Sequence, residues 1–129
     1  MIKTPPMTSF KKGEIYLSEI VFTDGTATKK RPIVVVSGKH FNEKREEVVV
    51  APITSNVIRK IYGDVTIKHW EAAGLLFPSA VTGIITTIKK TMLEKKIGQL
   101  DKEDLLKVEE CLRKNLELQD NSGKSAGKA

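Results

Sequence analysis

The segment Lys29-Lys30-Arg31-Pro32-Ile33-Val34-Val35-Val36-Ser37 runs three cations into a proline and then into a β-branched stretch. Proline fixes φ and donates no ladder bond, so Pro32 suits the first residue of a strand. Ile33 to Val36 are apolar and mostly β-branched, the pattern of a buried strand. This reading sets Arg31 at the mouth of the strand, on a loop held by a rigid element, where functional side chains concentrate. Its planar, permanently charged fork matches a phosphate, so Arg31 is expected to meet the phosphate of a nucleic acid.

The charge distribution supports that expectation. The net charge of +6 is uneven: residues 29–60 carry eight basic and three acidic residues, whereas residues 1–28 balance three against three. A local basic patch favours polyanions, although charge alone favours the reading of a solvated lysine-rich surface. With 129 residues the chain reads as one domain, large enough for a core of its own. No apolar run approaches the ~20 residues that span a bilayer, and Met1–Phe10 has two prolines and no apolar signal region. The single Cys111 excludes an internal disulfide framework and fits a reducing compartment. A cytoplasmic protein with no membrane association is expected.

Outward from the central strand, residues 1–12 read as a flexible N-terminal arm. Gly13–Leu17 and Ile20–Phe22 read as one strand bent at Ser18-Glu19, where alternation breaks. A polar loop with an Asp24-Gly25 turn signal leads to Lys29. Residues 38–45 form a polar connection with room for one helical turn. Glu47–Ala51 is a third strand ending in Pro52-Ile53-Thr54-Ser55-Asn56, loop chemistry. Asp64–His69 alternates as a half-buried strand, Val81–Ile88 holds another weakened by Gly83, and Lys95–Gln99 is a short last one. A helix starts at the Asp101 N-cap, carries Glu103 and Asp104 in its first turn, and is stapled by Leu100 and Leu105. Leu105, Val108, Leu112 and Leu116 make its apolar stripe, and it should run to about Leu118. Residues 119–129 read as a disordered tail. The expected fold is mostly β: a small SH3-like barrel of five to seven mainly antiparallel strands over residues 13–118, closed by a C-terminal helix.

Metal-dependent hydrolysis is disfavoured, because His40 and His69 lie far apart with no acidic cluster near either. Cys111 reads as a buried small hydrophobe. No Gly-x-Ser-x-Gly elbow or Gly-rich phosphate loop is present. What remains is Arg31 opening one strand and Thr54 and Ser55 closing the next. Antiparallel pairing brings those two ends together. Locally, Thr54 and Ser55 read as a turn or helix cap. Beside Arg31 they suit RNA cleavage by the substrate's own 2′-hydroxyl, which requires charge neutralisation and orientation but no protein nucleophile. Lys29 and Lys30 would steer phosphates, and Ser55 and Asn56 would read a base or sugar edge.

The chain resembles the MazF/PemK-like toxins of type II toxin–antitoxin systems. The matching pieces are Gly13-Glu14-Ile15-Tyr16, Phe22-Thr23-Asp24-Gly25, Lys30-Arg31-Pro32-Ile33-Val34-Val35-Val36-Ser37 and Val50-Ala51-Pro52-Ile53-Thr54-Ser55. Gly74-Leu75, Pro78-Ser79-Ala80-Val81, Thr87-Ile88, Lys96-Ile97-Gly98-Gln99-Leu100 and the last helix follow in order, from about Lys12 to Leu118. The resemblance implies a homodimeric barrel that cleaves single-stranded RNA at short motifs without metal or cofactor, leaving a 2′,3′-cyclic phosphate. It implies inhibition by a cognate antitoxin whose acidic tail covers the RNA groove, with DNA reached only through that antitoxin. It implies catalytic roles for Arg31 and Thr54, and it adds Ser79 to the RNA-binding set of Lys29, Lys30, Ser55 and Asn56. Two departures stand out. Thr82-Gly83-Ile84 replaces the Arg and nearby acid that many relatives carry after the Ser-x-Val motif, and Thr26-Ala27-Thr28 offers no first-loop Glu or His. Either implies lower activity, a changed RNA preference, or a non-catalytic SH3-like nucleic-acid-binding module. A proline-peptide module is disfavoured because the few aromatics form no stacking groove.

Overall fold

The structure is a computed structural model that describes residues 9–21 and 28–119. The expected Asp24-Gly25 turn, most of the N-terminal arm and nearly all of the C-terminal tail lie outside the described residues. Seven strands and two α-helices follow in the order β1 (Glu14–Val21), β2 (Thr28–Val35), α1 (Lys39–Lys44), β3 (Glu47–Thr54), β4 (Val65–Thr66), β5 (Ala80–Val81), β6 (Thr86–Lys89), β7 (Lys96–Gln99) and α2 (Lys102–Asn115). A 3₁₀ turn, Lys90–Met92, links β6 to β7. The sheet runs β4-β5-β3-β2-β1-β7, with β6 also on β3, and every pairing is antiparallel. The result is a curled half-barrel with a C-terminal helix.

The uniform apolar run of β2 is explained by burial on both faces. Val34 packs with Ile15, Ala51, Ile53, Leu100 and Val108 against α2. Ile33 and Val35 pack with Tyr16, Val48, Val50 and Leu93 on the other side. A side-chain period of two divides one β-branched run between two cores.

Several boundaries differ from expectation. β2 starts at Thr28 rather than Pro32, so Arg31 lies inside a strand and not at its mouth. The β1–β2 ladder runs unbroken past Pro32, from Ile15–Val34 to Val21–Thr28, although proline itself supplies no donor. β3 likewise continues through Pro52 to Thr54. β1 is not bent against β2 at Ser18-Glu19; its irregularity lies between Ile15 and Tyr16, on the β7 edge. Ser18 is fully buried opposite Arg31, so the apparent break in alternation is a polar residue on an inward position.

The expected Val81–Ile88 strand splits into β5 and β6, because β3 pairs with β6 along Glu47–Val50 and with β5 at Ile53–Thr54. Gly83 occupies the bend, where a Cβ would sit 2.8 Å from the carbonyl oxygen of Gly63. The Asp64–His69 strand shrinks to Val65–Thr66. The amides of Lys68 and His69 donate instead to Asp104, each at 2.9 Å.

Helix α2 keeps its predicted start, with the Asp101 carboxylate accepting from the Glu103 amide at 2.9 Å. It ends at Asn115, earlier than expected, and Glu117 follows with φ 55°. Val108 is buried, and Leu105 and Leu112 pack against the core, but Leu116 is half exposed and leaves the stripe. Cys111 is only partly buried, and its thiol faces the Gly63 carbonyl at 3.3 Å. At the other end of the barrel, Asn42 of α1 is buried and donates to the carbonyls of Phe10 (2.7 Å) and Ser37 (3.1 Å). The buried Glu14 carboxylate accepts from Tyr16 Oη, the Lys11 amide and Lys96 Nζ. Burial pushes this carboxyl up, but those three donors outweigh it and hold it below the usual range.

The fold also makes an ion-pair cluster that the sequence does not announce. His69 Nε2 lies 3.0 Å from Glu103 and 3.8 Å from Asp101. The Glu103 hydrogen bond raises the imidazole pKa, helped by Asp101 and Asp104, and His69 in turn lowers Glu103. A raised folded-state His pKa stabilises fully below its unfolded value of 6.5 and is lost as pH rises through the folded value. The lowered Glu103 contributes above its unfolded 4.5 and fades as pH falls through its folded value. The Tm difference between the native chain and His69→Ala is therefore expected to peak between about pH 5 and 6.5 and to shrink towards pH 9. A pH-independent difference in thermal melts would remove the ion pair from this account.

Candidate RNA-binding groove

Arg31 and Thr54 come together across the sheet, by a different route from the one expected. Strand β2 pairs with β3 through Ile33–Pro52, Val34–Ala51 and Val35–Val50. Carrying that register two residues further sets Thr54 opposite Arg31. Alternation puts Arg31, Ile33, Val50, Pro52 and Thr54 on one face. Beyond Pro52, β3 turns its edge to β5, and the Pro52 carbonyl accepts from the Thr82 amide at 2.9 Å. That divergence opens a groove of about 560 Å³ whose walls include Ser18, Arg31, Pro52, Thr54, Thr82 and Thr86.

Within the groove Arg31 is half-buried, so its charge sits at the edge of an apolar wall. The Thr54 hydroxyl accepts the Asn56 amide at 3.1 Å. This is the turn chemistry its local sequence suggests, and it still leaves the hydroxyl proton free to be donated. Turn role and binding role are compatible at one oxygen. Glu19 borders the groove through its place in β1, but its carboxylate lies on the opposite face, towards Lys30.

The other expected binding residues divide among neighbouring hollows. Ser55 and Ser79 share a smaller one, about 220 Å³, with Arg31. Ser79 is buried, and its hydroxyl donates to the Phe77 carbonyl at 2.7 Å, which ties it to its own loop. Asn56 is exposed and lines a third hollow of about 460 Å³, which shares Thr54 and Thr82 with the groove. Lys29 is exposed on the Arg31 face. Lys30 falls on the opposite face by alternation, where it pairs with Glu94 at 3.0 Å. The Glu94 hydrogen bond raises its pKa, and the pair is exposed and weakly held.

One expectation about metals is corrected. His69 is not isolated from acids: Asp101 and Glu103 offer ligand atoms within 4.8 Å of it and of each other. His69 is far from Asp101 and Glu103 in sequence and meets them only because α2 packs on the 67–74 turn. Their mutual ion pairs account for the grouping. Among the described residues no helix is long and apolar enough to cross a membrane.

Comparison with known proteins adds to this geometry. The chain is similar to an endoribonuclease from mycobacterial species, with a TM-score of 0.71 and 21% identity over 88% of this chain and 97% of the other. It is similar to a mycobacterial endoribonuclease solved with its cognate antitoxin, with a TM-score of 0.70 and 19% identity over 88% and 99%. The Mycobacterium tuberculosis toxin MazF-mt6 gives a TM-score of 0.68 and 25% identity over 83% and 99%. No curated protein sequence matches. The family model for the PemK-like, MazF-like toxins matches residues 11–116, which includes every strand, the groove between β2 and β3, and α2. The chain therefore belongs to the PemK-like, MazF-like toxin family of type II toxin–antitoxin systems.

Proposed function

We propose that this toxin is a metal-independent, sequence-selective endoribonuclease that cuts single-stranded RNA through attack of the substrate's 2′-hydroxyl. The observation that carries the reading is that Arg31 and Thr54 line one groove, each two residues beyond the last β2–β3 pair, Ile33–Pro52. In this reaction the 2′-hydroxyl gives up its proton as its oxygen bonds to the adjacent phosphorus, the bond from phosphorus to the 5′-oxygen breaks, that oxygen takes up a proton, and a 2′,3′-cyclic phosphate remains. Negative charge grows on the non-bridging oxygens. Arg31 neutralises it with a fork that fits two of those oxygens. Thr54 donates its hydroxyl proton to one of them, its oxygen oriented by the Asn56 amide. Both groups are fixed by strands before RNA arrives, so little reorganisation opposes the transition state.

Lys29 adds long-range attraction on the same face, whereas Lys30 contributes mainly through the field of the patch. Ser55, Asn56 and Ser79 flank the scissile position on either side. An antitoxin with an acidic tail suits the same basic groove, and a homodimer would set two such grooves side by side. Thr82, which lines the groove where many relatives carry an arginine, adds no charge. That supports a second reading, in which RNA is bound but not cut.

Incubation of the purified protein with long mixed-sequence RNA in EDTA separates the two. Cuts at a few sites, blocked by a 2′-deoxy nucleotide at the cut and lost in Thr54→Ala, are expected. Intact RNA in a salt-sensitive complex would favour the binding module.

A further inference from the structure

We infer that the hollow next to the groove, walled by Thr54, Asn56, Arg59, Tyr62 and Thr82, is a subsite for the nucleotide flanking the scissile phosphate. Arg59 holds a phosphate there and Tyr62 stacks on the base. The inference rests on the ribonuclease reading and extends it to residues outside the expected site.

Three observations converge on it. First, the hollow of about 460 Å³ shares Thr54 and Thr82 with the groove, so a strand laid past Arg31 continues into it. Second, the 55–64 loop is anchored at one end and open in the middle. The Asp64 carboxylate accepts the Gly83 amide at 3.1 Å, and the Gly63 carbonyl accepts from Cys111 and Asn115 of α2 at 3.3 and 3.4 Å. Yet Ile58 and Tyr62 are 90% and 91% exposed. Tyr62 shares its hollow with Ile61 and Ile84, both exposed, and a contiguous exposed apolar patch marks a binding surface. A phenol ring also loses little freedom on stacking. Third, the loop is cationic. Arg59 and Lys60 make no ion pair among the described residues, and the nearby Asp64 is engaged with Gly83. Exposed apolar area alone would suit a second copy of the chain. The added positive charge and the continuity with Thr54 favour an unpaired RNA strand, whose bases stack on aromatics while its phosphates meet arginines.

The test uses the full-length protein with Tyr62→Ala, Tyr62→Phe and Arg59→Ala. Affinity is measured by fluorescence anisotropy on short random-sequence 2′-O-methyl RNA, which cannot be cut. Cut sites in natural RNA are then mapped by sequencing. Tyr62→Ala is expected to weaken binding about tenfold and to relax base preference at one position beside the cut, with Tyr62→Phe restoring both. Arg59→Ala is expected to lower the slope of log Kd against log salt by about 0.7. Unchanged affinity, salt slope and cut-site preference in Tyr62→Ala and Arg59→Ala would overturn the subsite while leaving the ribonuclease reading intact. A change confined to oligomeric state by sedimentation would overturn it in favour of a self-association face. Native protein that binds RNA without cutting it would end the ribonuclease reading, and the anisotropy series would still decide the subsite. Native protein that binds no RNA would overturn both.

Discussion

Arg31→Ala is expected to lower kcat for RNA cleavage by about 10²- to 10³-fold, the loss seen when a fixed donor to a developing oxyanion is removed. The guanidinium is half-buried on β2, with Ser18 opposite on β1 and the Pro52–Thr54 end of β3 on its other side. In the proposed mechanism it would meet the phosphate without first being ordered, and water would not replace its charge. Arg31→Lys is expected to recover part of the loss, because a point charge supplies attraction without the planar fork. Single-turnover rates at saturating RNA isolate the chemical step. The fold should survive, since Arg31 lies at the groove edge of a strand whose cores are Ile33, Val34 and Val35. Arg31→Ala cleaving at the native rate, with the same cut sites, would remove Arg31 from the mechanism.

Asp104→Ala is expected to cost about 3 kcal/mol of folding stability, a drop in Tm of roughly 10 °C. Asp104 is fully buried, and its two oxygens accept the amides of Lys68 and His69. Truncation takes the shared acceptor from two part-buried donors and unties the 67–74 turn from α2. Asp104→Asn keeps one acceptor but turns an amide N–H towards a backbone N–H, so it should recover little. The N-cap variant Asp101→Ala should cost only about 1 kcal/mol, because its one accepted bond is exposed and water replaces it. Denaturant titration compares the three directly. Equal losses at Asp101 and Asp104 would mean that the buried pair contributes no more than a cap.

These two residues also show how far reading along the chain reaches. Asp104 looked like one of two acids favouring a helix N-terminus, as it is. Nothing local connects it to the amides of Lys68 and His69, which it holds in place of a longer strand. His69 looked isolated from carboxylates for the same reason. Cys111 and Leu116 looked buried from helical spacing, but spacing gives a direction on the helix and not what covers it. Arg31 and Thr54 were legible as a pair because antiparallel neighbours share their ends. Their exact placement was not, since Pro32 and Pro52 read as strand limits. Pro32 lies within the β1–β2 ladder, and β3 continues beyond Pro52 by pairing with β5.

Strand and helix identities, the single β-rich domain and the cationic segment around Arg31 follow from chemistry between near neighbours: β-branching, side-chain period, caps and charge. The family membership rests on that same ordered set of short motifs. The groove does not follow from any of these. It forms where β3 leaves β2 after Pro52 and its outer edge passes from β6 to β5, an arrangement set by pairings across the whole sheet. The exposed Tyr62 and the buried Asp104 depend in the same way on where α2 lands against the 55–64 loop and the 67–74 turn. Such contacts join residues tens of positions apart, and their free energy appears only when the whole sheet has curled, so only the assembled fold could place them.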